Sequence, residues 1–153
     1  MNLFMDTSAL IKLYHQEVGS QNLINSLYRY ADNLVITITD ISRVECYSAL
    51  MKRVRIKEMS LKAIEEALYL FEQEIKNFQV VEVDIVAKEL AIHLLSKIAH
   101  QRNLATLDAM QLATAILSHQ MFAIDYFVAC DKRLLNFAKP YFNTFNPEIE
   151  TID

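Results

Sequence analysis

Short, unbroken apolar runs alternate along this chain with longer segments of helical periodicity. The runs predict strands at NLFM (2–5), LVIT (34–37), FQVVEV (78–83) and YFVAC (126–130), with a last edge strand at NTF (143–145). Apolar runs without polar alternation are typical of strands that are covered on both faces, as in a parallel sheet. The pattern therefore predicts an α/β fold with a parallel sheet between two layers of helices.

The segments between these runs carry apolar residues three and four positions apart, which is the spacing of one helix face. They predict helices over 7–16, 20–31, 40–55, 60–76, 84–100, 107–120 and 132–138. The chain has one glycine and two prolines, and it contains no repeat or low-complexity tract. We therefore expect a single domain over residues 1–153.

Composition narrows the possible functions. The longest apolar runs are too short to span a membrane, and the N-terminus lacks the pattern of a signal peptide. Two cysteines are too few for a disulfide scaffold. Together these features predict a cytoplasmic protein that does not bind a membrane. A net charge of −4 argues against a module that only grips nucleic acid, unless carboxylates hold metal ions that supply positive charge. A single glycine excludes the G-x-G-x-x-G fingerprint and the P-loop.

Four acidic residues lie near the predicted strand ends. Asp6 directly follows the first strand and Asp131 directly follows YFVAC, so both should emerge at the edge of the sheet where such folds bind ligands. Glu45 lies on the helix after the second strand, and Asp108 lies in the first turn of its helix. Taken singly, each has a simpler interpretation as a helix cap, a dipole partner or a solvated side chain. Capping does not explain why four acids should converge.

An all-oxygen cluster suits Mg²⁺ or Mn²⁺ better than zinc. Buried like charges repel unless a cation or protons compensate them. The four histidines show no metal-ligand spacing. The residues therefore indicate a site for one or two Mg²⁺ or Mn²⁺ ions.

Four segments together resemble the PIN-domain ribonucleases, and most closely the VapC-type toxins of VapBC toxin–antitoxin modules. They are MDTSALIKLYHQEVGS, TDISRVECYSALMKR with MSLKAIEEAL, LATLDAMQLATAIL and FVACDKRLLNFA, in family order over nearly the whole chain. The resemblance implies a three-layer α/β/α sandwich with a central, mainly parallel sheet. It also implies a metal-dependent endoribonuclease.

By position, the resemblance assigns the family's acidic quartet of catalytic and metal-binding residues to Asp6, Glu45, Asp108 and Asp131. Ser8 falls where the family often has a supporting hydroxyl, and Thr7 is a weaker candidate for that role. The chain departs from the family pattern at Ala129, where a threonine often stands. This removes a hydroxyl that could tune a metal site.

The implied reaction is hydrolysis of an RNA phosphodiester bond by a metal-activated water. In this hypothesis Asp6 and Asp108 are direct or water-mediated ligands, and Asp131 completes the cage. Glu45 either ligates the metal or orients and deprotonates the water. Basic residues near the site are possible contacts to the RNA backbone, although each could equally be a solvated charge; they are Lys12, Arg43, Lys132 and Arg133.

The resemblance further implies two protein partners, a second copy of the chain and an antitoxin whose C-terminal segment covers an apolar groove. Most tyrosines on helical segments are expected in the core, with some lining that groove; they are Tyr14, Tyr28, Tyr30, Tyr47 and Tyr69. Three alternatives stay open at this point. They are a PIN nuclease that processes RNA without an antitoxin, a receiver-like signalling module, and a PIN fold that binds without catalysis.

Overall fold

A computed structural model of the protein describes residues 1–98 and 103–152. Its strands are β1 (Asn2–Met5), β2 (Val35–Thr39), β3 (Gln79–Val81), β4 (Tyr126–Val128) and β5 (Asn143–Phe145). They form one sheet in the order β3-β2-β1-β4-β5, and every neighbouring pair is parallel. The predicted parallel α/β sheet, with the last strand at its edge, is confirmed.

Seven α-helices lie within the described residues. They are α1 (Thr7–Leu10), α2 (Ser20–Arg29), α3 (Ile41–Arg55), α4 (Leu61–Glu74), α5 (Ile85–Ile98), α6 (Thr106–Met121) and α7 (Lys132–Ala138). Short 3₁₀ turns occupy Ile11–Leu13, Ala31–Asn33 and Ile75–Asn77. Among these helices, none combines the length and apolar character needed to cross a membrane.

The central strand β1 faces a helical layer on each side, because successive strand residues point to opposite faces. Phe4 is fully buried and stacks on Phe127 of β4, with ring centroids 5.5 Å apart, in a cluster that includes apolar residues of α5, α6 and α7. Leu3 and Met5 are also fully buried, and they belong to a second cluster that includes residues of α1, α2, α3 and α4. The two clusters confirm the three-layer sandwich and hold β1 rigidly between them.

Several predicted boundaries differ from the observed ones by a few residues. Strand β2 runs two residues further than predicted, to Thr39, because Ile38 and Thr39 are buried and pair with β3. The predicted helix over 7–16 changes to a 3₁₀ turn after Leu10. The predicted helix over 84–100 begins at Ile85, and its predicted residues 99 and 100 lie outside the described part of the chain.

The strand order places a crevice beside β1. From β1 the chain moves outward through β2 to β3, and later returns to the other side of β1 with β4 and β5. In open parallel sheets, ligands bind at the carboxyl ends of the strands where this direction reverses. That position lies between the ends of β1 and β4, which precede Asp6 and Asp131.

The single glycine lies in close contact with the C-terminal turn, which spans residues 147–149. Gly19 caps α2 with φ of 90°, a left-handed conformation that glycine adopts without strain. A Cβ atom there would lie 2.8 Å from the carbonyl carbon of Pro147. The amide of Asn22 donates a hydrogen bond to the same Pro147 carbonyl oxygen over 2.8 Å. The C-terminal turn is thereby held against the start of α2.

Candidate active site

Asp6 is the single residue between β1 and α1. Its backbone N–H donates to the Val128 carbonyl oxygen over 2.9 Å, so pairing with β4 continues to the aspartate itself. Its Oδ2 accepts from the Ser8 N–H (2.9 Å) and from the Ser8 hydroxyl (2.5 Å), which caps the helix. Only 7% of Asp6 is exposed, and this burial raises its pKa although the Ser8 hydrogen bonds oppose the shift. The residue is thus both a helix cap and a buried, fixed carboxylate.

Ser8 connects the two sides of the crevice. Its hydroxyl donates to Asp6 and accepts the backbone N–H of Cys130 over 3.0 Å. Cys130 immediately precedes Asp131, so a single hydroxyl ties the segment after β1 to the segment after β4. The residue therefore lies where a supporting hydroxyl was expected.

Asp131 caps α7 and pairs with Arg133. Its Oδ1 accepts the Arg133 N–H over 2.7 Å, and its Oδ2 lies 3.1 Å from Arg133 Nη2. Partial burial alone would raise the pKa of Asp131, but the hydrogen bonds and charge of Arg133 outweigh it and lower the pKa. Asp131 is therefore held in its ionised form.

Glu45 reaches the same region from α3. Its Oε2 accepts the Thr7 hydroxyl over 2.9 Å and the Gln111 side-chain amide over 2.8 Å. Burial raises the pKa of Glu45 and the charge of Asp6 raises it further, while the bonds from Thr7 and Gln111 oppose both effects. Thr7, expected as the weaker supporting residue, contacts a different carboxylate from the one that Ser8 contacts.

Gln111 is a site residue that the sequence analysis missed. It is fully buried on α6, three residues after Asp108, and it hydrogen-bonds Glu45. The signal in the sequence is weak, because an uncharged glutamine beside Leu112 and Ala113 has no chemical signature of its own. Its position one turn after Asp108, on a helix otherwise rich in small and apolar residues, is the feature that could have singled it out.

Asp108 lies in the first turn of α6, and the charges of the other three acids affect its pKa. Burial raises its pKa to about 6, with further contributions from the negative charges of Asp6, Asp131 and Glu45 and an opposing one from Arg133. Repulsion of this kind requires that the carboxylates share one region. The four acids therefore lie near enough for their charges to act on Asp108, and their convergence on one metal site stays a prediction.

This set of donors is chemically suited to a hard divalent cation. Carboxylate oxygens supplemented by hydroxyls are the ligands that Mg²⁺ and Mn²⁺ prefer, and a cation would relieve the repulsion that raises the pKa of Asp108. Within residues 1–98 and 103–152, however, no three His, Cys, Asp or Glu side chains are already grouped closely enough to hold one ion. The donor chemistry fits a metal, but the carboxylates would have to come closer together to coordinate one.

The predicted substrate contacts divide into two kinds. Lys12 is only 3% exposed, and its ammonium donates to Glu17 (2.8 Å), the Val18 carbonyl oxygen (2.7 Å) and Glu148 (3.0 Å). This corrects the expectation that Lys12 could contact substrate, because the ammonium is buried and already engaged. Its neighbours come from the loop after α1 and from the C-terminal turn, two segments that no sequence pattern would place together.

Arg43, Lys132 and Arg133 are exposed. Arg43 pairs with Glu72 of α4 over 2.8 Å, whereas Arg133 pairs with Asp131 at the site. Arg133 also lines a groove of about 430 Å³ with Asn103, Asn136 and Phe137. Of the four basic residues, Lys132 and Arg133 thus adjoin the carboxylates most directly.

A second, more apolar groove lies at the 3₁₀ turn after α1, where α2 and the end of α4 meet. Its volume is about 520 Å³, and it is lined by Leu13, Ile24, Leu27, Tyr28, Ala31, Leu34, Ile36, Glu74, Asn77 and Phe78. Tyr28, Tyr47 and Tyr69 are 78%, 37% and 66% exposed, so the expectation that most of the five tyrosines lie in the core is wrong. Tyr28 does line the groove, as was expected of some. Tyr14 instead packs edge-on against Phe71 and donates to Glu74.

Comparison with solved structures finds the same fold in toxin–antitoxin proteins. The VapBC2 complex of Rickettsia felis, bound to a DNA fragment from its promoter, matches with a TM-score of 0.69 and 14% identity over 95% of this chain and 98% of that one. The VapC20 toxin of Mycobacterium tuberculosis, which cleaves the sarcin–ricin loop, matches at 0.62 and 18% over 88% and 94%. A toxin–antitoxin complex from Klebsiella pneumoniae matches at 0.61 and 14% over 98% and 99%.

At these identities the structural similarity shows a shared fold, and the function has to be argued from the site residues. A search of curated protein sequences gave no significant match. The profile of the PIN domain matches residues 3–140. This span contains all four acids, most of β1 and the whole of β4. The chain belongs to the PIN domain family.

Proposed function

We propose that the protein is a Mg²⁺- or Mn²⁺-dependent endoribonuclease and the toxin of a VapBC-type module. The proposal is carried by the PIN fold together with four acids near its β1–β4 crevice, three of which act by their charge on the pKa of Asp108. The family acts on nucleic acids and generally uses divalent metal ions. The toxins with the same fold support the more specific assignment.

Each acid has a distinct part in the proposal. Asp6 and Asp108 are direct or water-mediated metal ligands, and Asp131 completes the set. Glu45 either joins them or orients the attacking water and accepts its proton, for which a raised pKa is suited. When bound, one or two divalent cations supply positive charge for the scissile phosphate and make a water molecule acidic near neutral pH.

The chain's own residues place the substrate. Arg133 and Lys132 lie beside Asp131, where they are suited to hold phosphates on either side of the bond that is cut. Attack by water in line with the leaving oxygen breaks the P–O3′ bond, and the products carry a 5′-phosphate and a 3′-hydroxyl. We expect this to occur in the cytoplasm, on RNA segments that are accessible in single-stranded form.

RNA sequencing tests the activity and the target together. After a short pulse of expression, the wild type should create new 5′-monophosphate ends at discrete positions, and Asp6→Asn should not. New ends in equal number in both proteins would overturn the proposal. Growth that is restored by co-expression of a small neighbouring frame would identify the antitoxin and exclude a nuclease that works without one.

The apolar groove is the proposed docking site for the antitoxin's C-terminal segment. Tyr28 projects beside this groove and is 78% exposed, so a charge there should disturb an apolar partner without reaching the carboxylates. Tyr28→Asp should weaken antitoxin binding at least tenfold and leave RNA cleavage unchanged. Tyr69→Asp is the matched control, because Tyr69 is equally a helix tyrosine but lines a different depression, on α4. Equal antitoxin affinity in both variants would contradict the assignment.

A homodimer is the second partner in this proposal, as the resemblance to VapC toxins implies. Light scattering coupled to size-exclusion chromatography should give a mass of about twice that of the chain, which is 17.7 kDa. A monomer at micromolar concentration would contradict it.

A further inference from the structure

We propose that Gln111 is a positioning residue that fixes the Glu45 carboxylate in the active site, an inference that rests on the proposed nuclease function. Gln111 is fully buried, and both ends of its amide are hydrogen-bonded. Its Nε2 lies 2.8 Å from Glu45 Oε2, which is the shortest of its contacts. A hydrogen bond to a charged acceptor is stronger than one between neutral groups.

The Glu45 carboxylate sets the orientation of this amide, and the neighbouring hydroxyls follow it. The Gln111 Oε1 carries no proton, so Thr39 donates its hydroxyl proton to it over 3.1 Å. The Ser42 hydroxyl must then donate to Thr39 Oγ1, 2.9 Å away, and its oxygen accepts from Gln111 Nε2 over 3.2 Å. The other proton of the amide is left for Glu45.

A flipped amide would lose the contact with Glu45, although the Thr39 and Ser42 hydroxyls could reverse their donor roles to serve it. It would set Gln111 Oε1 against the Glu45 carboxylate, which is a contact between two acceptors. Gln111 is fully buried, so water cannot replace the lost bond. The network therefore has one consistent direction, and it ends on Glu45.

The same contacts join the elements that carry the other acids. Gln111 lies one turn from Asp108 on α6, and it also approaches the hydroxyl of Thr7, the neighbour of Asp6, at 3.4 Å. Thr7 donates to the same oxygen of Glu45 from the opposite element, α1. Glu45 is thus held between the helices that begin at Asp6 and near Asp108. The carboxylate has little freedom to leave the position that these two donors set.

The test is a double-mutant cycle on purified full-length protein with a labelled RNA that the wild type cuts. Gln111→Met keeps the length of the side chain and removes every hydrogen bond. We expect kcat to fall about 10–100-fold, as for other residues that orient ligands, with KM changed less than about threefold. In a Glu45→Gln background the same substitution should cost less than about threefold, because the group on which Gln111 acts is already altered.

Thr114→Val is the matched control on the same helix. The Thr114 hydroxyl is buried and has no hydrogen-bond partner among the described residues, so its loss should leave kcat and thermal stability unchanged. Should Gln111→Met fail to fold, Gln111→Asn retains an amide but is one methylene too short to reach Glu45, and it should show the same loss of kcat and the same dependence on Glu45.

Two results would overturn the inference: wild-type kcat in both Gln111 variants, or an equal loss with and without the Glu45 substitution, which would indicate a structural role. Cleavage that persists in Asp6→Asn would instead contradict the proposed function. The two failures are therefore distinguishable within one set of proteins.

Discussion

Asp108 stands in the electrostatic field of Asp6, Asp131 and Glu45. Its burial and this repulsion raise its pKa to about 6, whereas a solvated aspartate has a pKa of 3.8. An acid of this kind binds its proton more tightly in the folded state than in the unfolded state. The metal-free protein therefore loses stability as pH rises through this interval, and the loss is complete above the folded-state pKa.

Asp108→Asn should remove this penalty. In EDTA at pH 8, we expect the variant to be more stable than the wild type by on the order of 1 kcal/mol, after allowance for partial solvent screening. Below pH 4 the two proteins should be equally stable, since the wild-type acid is then protonated. Urea unfolding at both pH values measures the difference. Asp32→Asn, at an exposed position, is the control, and a variant that is less stable than the wild type at pH 8 would contradict the account.

Ser8 carries a second prediction at this scale. Ser8→Ala removes the donor to Asp6 and leaves the Cys130 N–H without its acceptor. Stability should fall by about 1–3 kcal/mol, which is the typical effect of leaving a buried polar group unpaired. Cleavage by the folded variant should fall about 10–100-fold. Ser96→Ala is the control, because that hydroxyl bonds only a carbonyl of its own exposed helix face. Wild-type cleavage in Ser8→Ala would show that the crevice does not depend on this link.

At the scale of elements, the loop after α1 and the C-terminal turn are joined by buried charge. Lys12 bonds Glu17 and Glu148, and Arg53 on α3 adds a contact of 2.8 Å to Glu17. A lysine this deeply buried is retained only when it is paired. The contacts explain why Lys12 has a structural role although it belongs to a segment that carries site residues.

Lys12→Met should therefore lower the free energy of unfolding by about 2 kcal/mol or more, because two carboxylates lose their common partner. Lys132→Met, at an exposed position beside Asp131, should change stability by less than about 0.5 kcal/mol. The second variant should instead weaken RNA binding and reduce its dependence on salt concentration. Thermal unfolding and RNA titration at two salt concentrations measure both effects. Equal stability of the two variants would contradict the assignment of Lys12.

The sequence predicts the elements of this fold better than the contacts between them. Apolar runs and helical spacing are local, so the sheet and its helices could be read from the chain, and the strand-end acids followed from the parallel topology. The bonds of Gln111 join residues 7, 39, 42 and 45 to position 111, and the partner Glu148 of Lys12 lies 136 positions away. No local pattern encodes such pairings between uncharged or distant side chains.

For the molecule as a whole, a net charge of −4 sets the conditions for the proposed cleavage of RNA. Its long-range field repels a polyanion, so binding must depend on local cations such as Arg133 and on metal held by the carboxylates. In the proposed function those acids act near the carboxyl ends of β1 and β4. The central claim is therefore that hydrolysis depends on the four acids at the β1–β4 crevice and not on carboxylates elsewhere in the chain.

One comparison tests this claim most directly. Asp6→Asn and Asp125→Asn make the same change at opposite ends of the β1–β4 pair, since Asp125 precedes β4 and accepts the Asn2 N–H over 2.7 Å. Purified proteins are incubated with the RNA that wild type cuts, in Mg²⁺ and in EDTA. We predict at least a 100-fold loss of Mg²⁺-dependent cleavage in Asp6→Asn, about 3 kcal/mol of transition-state stabilisation, and near-wild-type cleavage in Asp125→Asn. Full Mg²⁺-dependent cleavage by folded Asp6→Asn would contradict the account.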